Sequence, residues 1–289
     1  MIRTLKNRVK KLEERYLRDF DGVTFTPGNA KPRKEPQMAA EIISTLGGIL
    51  SFTAGNHRYT WNNEKVDLSI SAVANCYPLA FGAASGWAVK VIREELLRSN
   101  YLDEPLDPED WADWAKTLCN APRRVSKLAA DVGTAVHQFI EDKSGGFLQP
   151  ELSIDPEIAR CQRGVAAWYD QNVDQVLSSE RRLYSLKWKI AGTVDLVAKM
   201  KNGRTAVIDW KGVTDLDASI KAGHIGQLTA YREMLTEAGE TIDDCLLVRF
   251  SRKTGEVDAL VLKDHELNVK AFEAALHLAR YTPQTENFQ

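Results

Sequence analysis

The chain has 289 residues, 44% of them apolar and 27% charged, with a formal net charge of −2. That length supports one large domain or two modest ones around a substantial core, and no run approaches the roughly 18 to 20 apolar residues that span a bilayer. The N-terminal stretch is rich in Lys, Arg and Glu and lacks the apolar centre of a signal peptide, so the sequence reads as that of a soluble, cytoplasmic protein. Cys76, Cys119, Cys161 and Cys245 lie far apart with no Cys-x-x-Cys pair, which argues against a zinc site or a disulfide framework.

Ile2, Leu5, Val9, Leu12 and Tyr16 recur at three- and four-residue spacing and predict a helix over 1–20. Its apolar stripe suits packing on the protein's own body or on a second subunit. Pro27 to Pro36 is a basic loop, and a helix is expected over 37–46, followed by a small hairpin of strands at 48–53 and 59–61. Leu68 to Pro78 leads into a helix rich in small residues that continues to about residue 98. Six acids and no base fall between Asp103 and Asp113, where Asp107-Pro108 suits a helix cap and first residue.

The next helix, over 124–142, buries Val125, Leu128, Val132, Val136, Phe139 and Ile140, carries His137 at its margin and stops at Ser144-Gly145-Gly146. Another is expected over 155–177. Strands follow at 175–183, 184–190, 192–200 and 205–210. After a loop at 212–217 comes a helix over 218–238, then a hairpin of 246–251 with 256–262, a last helix over 265–281 and a polar tail at 282–289. The chain thus divides into a mainly helical region (1–120) and an α/β core (121–281).

The centre of that core is the hairpin from Ala191 to Lys211, with Asn202-Gly203 as its turn. If Lys201, Asn202 and Gly203 form a three-residue loop with Gly203 left-handed, Met200 pairs with Arg204 and Asp195 falls across from Asp209. Thr205, Val207, Asp209 and Lys211 then share one face, and Ala206, Ile208 and Trp210 the other. Two carboxylates so placed repel unless a cation joins them, and magnesium or manganese, which prefer oxygen ligands, fit the pair. The alternative is a surface hairpin in which Lys211 only bridges Asp209. From Arg181 to Lys211 there are eight bases and two acids, the acids being Asp195 and Asp209, a setting that draws a polyanion towards a metal. Glu180 could join the acids, but its face is not assigned.

Four motifs in order, Gly133-x-x-x-His137, Gly192-Thr-Val-Asp195, Asp209-Trp-Lys211 and Gln227-x-x-x-Tyr231, resemble the RecB-like branch of the PD-(D/E)XK nuclease superfamily, particularly phage exonucleases. The resemblance implies a central mixed β-sheet flanked by helices, with the site at the splayed end of the central hairpin. It implies that Asp195, Asp209 and the Trp210 carbonyl bind Mg2+ or Mn2+, that His137 ligates or orients the nucleophile, and that Lys211 activates water. Gln227 and Tyr231 would hold the site and the DNA backbone, Tyr231 by stacking or by a phosphate hydrogen bond, and Arg181 and Arg182 would add nucleic-acid contacts. Val194 stands where the superfamily's nominal motif has proline, and Asp209 where many relatives have Glu. The implied activity is metal-dependent hydrolysis of DNA phosphodiesters, by an exonuclease acting on DNA ends in phage replication, recombination or repair. A homo-oligomer or a recombination partner protein is compatible with it. An endonuclease of the same fold and a non-catalytic DNA-binding subunit are the alternatives.

Overall fold

The structure, a computed structural model, describes residues 39–43, 47–53, 58–77, 81–98, 108–145 and 150–281. The helix expected over 1–20, the loop at 27–36, the Asp107 cap and the tail at 282–289 lie outside them. The first described elements, β1 (Ala39–Ile43), β2 (Gly48–Thr53), β3 (Arg58–Trp61) and β4 (Glu64–Lys65), form an antiparallel meander. The helix expected over 37–46 is therefore corrected to a strand. Its register with β2 runs from Ala39↔Phe52 to Ile43↔Gly48, and a full-length ladder outweighs the small helix preference of an Ala-Glu segment. This sheet rests on the core through Leu50 and Tyr59, which pack with Tyr184 and Ala191. Trp61 stacks on Tyr184 with ring centroids 4.3 Å apart, a large apolar contact for so small a sheet.

After β5 (Leu68–Ser69) come α1 (Ile70–Ala74), α2 (Phe81–Arg98), α3 (Pro108–Ser144) and α4 (Pro156–Asn172). The helix expected to start at 124 starts at Pro108 and runs through Pro122, so it crosses the boundary expected at 120. An internal proline costs a helix about 3 kcal/mol. The same helix buries Leu118, Ala121, Val132, Val136, Phe139 and Ile140 along one side, and apolar burial at about 1.5–3 kcal/mol for each large side chain exceeds that cost.

The main sheet holds β5 and five further strands, β6 (Val173–Ser185), β7 (Ile190–Met200), β8 (Thr205–Val213), β9 (Asp244–Ser251) and β10 (Val257–Val261). Its order is β10-β9-β8-β7-β5, with β6 also on β7; β8–β9 and β5–β7 are parallel and the remaining pairs antiparallel. The mixed sheet expected from the resemblance is present. The two strands expected at 175–183 and 184–190 are instead the single strand β6 and a turn, because Ser185 Oγ accepts the Trp188 N–H and Glu237 accepts those of Leu186 and Lys187.

Helices α5 (Ala222–Glu237) and α6 (His265–Arg280) complete the fold. Val197, Val207 and Leu247 pack with Leu228 and Leu235 of α5 and Phe272 of α6. On the other face Ala198, Ile208, Trp210 and Val248 pack with Val136 and Ile140 of α3 and Val165 of α4. Helix α5 starts at Ala222, not 218, and β8 runs on to Val213. The loop between them is tied down by Arg249, which donates to the carbonyls of Leu216 and Ala218 at 2.6 and 2.8 Å, and by Arg252, which donates to Thr214 Oγ1 at 2.7 Å.

Candidate active site

The β7–β8 hairpin closes as the sequence suggests. Met200 N donates to Arg204 O and Gly203 N to Met200 O, both at 2.8 Å, and Gly203 is left-handed at φ +82, where glycine carries no steric cost. The register then runs Lys199↔Thr205, Ala198↔Ala206, Val197↔Val207 and Leu196↔Ile208, and stops. Further back along β7, Ile190 and Ala191 pair with β5 on that side. Asp195 stands where β7 changes partner, and its Oδ2 accepts the Trp210 N–H at 3.0 Å. The strands thus splay at the residues expected to carry the site.

Asp209 is fully buried. Lys211 Nζ lies 2.7 Å from its Oδ2, yet neither carboxylate oxygen receives a well-directed hydrogen bond, so the pair is held by charge and Oδ1 has no donor at all. Burial pushes the Asp209 carboxyl up to about 6; Lys211 works against the rise and Asp195 with it. Burial disfavours the Lys211 ammonium, but Asp209 and Asp195 outweigh it and hold the ammonium above its ordinary value. Lys211 therefore stays charged at neutral pH.

Helix α3 brings His137 to the same place. The Trp210 carbonyl can only accept, so His137 Nε2 donates to it at 3.0 Å. In the neutral ring Nδ1 then keeps its lone pair, 3.6 Å from Asp195 Oδ2. The Glu180 carboxylate completes a group of three, and one ligand atom from each of His137, Glu180 and Asp195 lies within 4.8 Å of the others. Glu180 is the site residue whose face the sequence left unassigned. The missing information was the length of the β6–β7 turn: with Ser185↔Ile190 as the first pair, Arg181↔Val194 and Ser179↔Leu196 follow and leave Glu180 opposite Asp195. Its backbone is left-handed, φ +48, a conformation that costs a non-glycine residue about 1–3 kcal/mol. The residue is exposed while its carboxylate sits in the cluster. Burial of that end, followed by Asp195 and Glu141, pushes the carboxyl up to about 8 against Arg182.

These donors fit a divalent ion. The gathered ligand atoms of His137, Glu180 and Asp195, with the unpartnered buried Asp209 carboxylate whose charge acts on Asp195 and Glu180, form an oxygen-rich set with one nitrogen, the type that magnesium and manganese occupy.

Gln227 Nε2 donates to Tyr231 Oη at 3.0 Å. Tyr231 is only 2% exposed and belongs to the core between sheet and α5, so the expectation that it stacks on a nucleotide or reaches a phosphate is corrected: the ring anchors Gln227 instead. Arg181 needs a similar correction. It is ion-paired with Glu240 and stands opposite buried Val194, on the other face from its neighbour Arg182. Arg182 lies over the Phe52 ring at 5.2 Å, on the side of Glu180. The structure also adds His224, whose ring is pushed down to about 4 by burial and by Lys211 and Lys221; no motif spacing marks it.

Among the described residues no helix is long and apolar enough to cross a membrane. No curated protein sequence matches the chain. Among solved structures, that of a protein named SSO0001 matches at 15% identity and a TM-score of 0.30, covering 68% of this chain and 87% of its own. Another, of a Eubacterium rectale protein described as a candidate exonuclease, matches at 11% identity and a TM-score of 0.33, covering 52% of this chain and 63% of its own. Residues 159–286 match the family model of the PD-(D/E)XK nuclease superfamily, a span that takes in Glu180, Asp195, Asp209, Lys211, Gln227 and Tyr231, and the mixed sheet with its flanking helices is consistent with the core of that superfamily.

Proposed function

We propose that this chain is a metal-dependent deoxyribonuclease, an exonuclease that degrades DNA from its ends with Mg2+ or Mn2+ in replication, recombination or repair. The observation that carries the reading is Asp209, fully buried with Oδ1 lacking any donor, beside Lys211 and the group of His137, Glu180 and Asp195. A buried carboxylate oxygen that no donor meets is costly unless a cation joins it. The end-directed reading takes its support from the ordered motifs that resemble phage exonucleases.

Asp195, Asp209 and the Trp210 carbonyl would hold the ion, joined by His137 Nδ1 and Glu180. When bound, a divalent ion lowers the pKa of water and neutralises phosphoryl charge. Lys211, kept cationic by Asp209 and Asp195, orients the attacking water and offsets charge that grows on the phosphoryl oxygens. Gln227, fixed by Tyr231, presents its remaining amide valences to the substrate backbone. Arg182 draws that backbone in.

The test is digestion of end-labelled linear duplex, linear single strands and covalently closed circles with each ion. The expected result is loss of linear DNA alone, abolished in Asp209→Ala and Lys211→Ala. Cut circles would replace the exonuclease reading with an endonuclease. DNA binding without cleavage by either ion would leave a binding module.

A further inference from the structure

Helix α3 is 37 residues long, and the residues it lends to the core against the sheet run from Val132 to Ile140. Lys116, Asn120, Arg123, Lys127, Ala130, Thr134 and Gln138 are all exposed, and their spacings of three and four place them on one face of the helix. His137 lies at the edge of that face. Between Lys116 and His137 the helix contains four bases and one acid, Asp131. The fourth base, Arg124, is turned aside onto Glu95 at 2.9 Å. Among the described residues Lys116, Arg123 and Lys127 form no ion pair. The face is thus a row of solvated cations, broken only by small and neutral polar side chains, that ends at the carboxylate and imidazole cluster.

We infer that this face of α3 is a track for the phosphate backbone of the DNA that the site acts on. The inference rests on the nuclease reading above and adds where the substrate lies and how much of it is held. At 1.5 Å per residue, Lys127, Arg123 and Lys116 stand about 15, 21 and 31 Å along the helix from His137. With one phosphate per 3.4 Å of each strand, these distances correspond to about four, six and nine nucleotides from the site. A polyanion is the occupant that such a row complements, since an apolar or acidic partner would leave three cations desolvated or would need acids at the same intervals. Continuity with His137 sets its direction.

The experiment compares the full chain with a Lys116→Gln, Arg123→Gln, Lys127→Gln triple variant. Fluorescence anisotropy in chelator measures binding to duplexes of 4 to 20 base pairs over a salt series, and cleavage of the same duplexes is timed with Mn2+. Wild-type affinity is expected to climb until about nine or ten base pairs and then level. The triple variant should lose most of that climb, and its slope of log affinity against log salt should be shallower by about 2.7, about 0.9 for each lost phosphate contact. Cleavage at saturating DNA should not change, because the nearest of the three, Lys127, stands about 15 Å along the helix from His137. A triple variant with wild-type slope and length dependence overturns the track and leaves the nuclease reading intact. If the wild type cuts nothing but the binding differences are found, the track stands and the nuclease reading falls. Wild-type protein that does not bind DNA overturns both.

Discussion

The Asp195 carboxylate accepts the Trp210 backbone N–H at 3.0 Å, just beyond the last backbone pair of the hairpin, Leu196↔Ile208. One oxygen thereby does two things: Oδ2 satisfies a donor that the splaying strands release, and it is fixed 3.6 Å from His137 Nδ1. Asparagine can still accept that N–H, whereas alanine cannot. We expect Asp195→Ala to be about 1–3 kcal/mol less stable to urea than Asp195→Asn, while both bind Mn2+ at least about tenfold more weakly than wild type. Equal stability of the two variants would show that the Trp210 hydrogen bond contributes nothing.

Lys211 is expected to act on the chemistry and on Asp209 at once. Lys211→Met should lower cleavage by about 10²–10³-fold, the loss typical of removing one preorganised donor. Without the ammonium that works against its rise, the Asp209 carboxyl climbs further, and protons compete with the ion up to higher pH. Mn2+ titrations should therefore show weaker binding at pH 7 that recovers as pH rises; binding unchanged at every pH would separate Lys211 from Asp209.

The raised carboxyl of Glu180 makes a pH prediction for metal-free protein. The folded value is about 8 against an ordinary 4.5, so between these values the folded chain holds a proton that the unfolded chain has released. Stability from this group is complete below about 4.5 and is lost as pH rises through about 8. In chelator, melting temperature should fall across that window, and Glu180→Gln should flatten the fall. A parallel decline in wild type and variant would assign it elsewhere.

Two motif glycines should respond in opposite directions. A Cβ on Gly192 would lie 2.6 Å from Ile70 Cδ1 and 3.0 Å from Tyr231 Cε1, so Gly192→Ala is expected to destabilise by about 1–3 kcal/mol through overpacking. A Cβ on Gly133 meets nothing within 4 Å. Gly133→Ala, in mid-helix, should stabilise by about 0.5–1 kcal/mol. Denaturant midpoints decide both.

What the sequence alone determined is what depends on neighbours along the chain. The Asn-Gly turn, the alternation on either side of it and a three-residue loop place Met200 against Arg204 and bring Asp195 and Asp209 together, because strand period and turn geometry are local. The helical faces of α3 and α5 were equally legible. Contacts between distant segments decided the rest. Ala39–Ile43 is a strand because β2 is there to pair with it, and α3 continues through Pro122 because its apolar side has a core to enter. Glu180 reaches the cluster through a turn length and a left-handed backbone that no periodicity encodes, while the inward turn of Tyr231 follows the apolar face of α5 that helical spacing already marks. His137 meets the Trp210 carbonyl across 73 residues of chain. That meeting requires the sheet and α3 to be packed first, since the ring and the carbonyl belong to elements that share no local pattern.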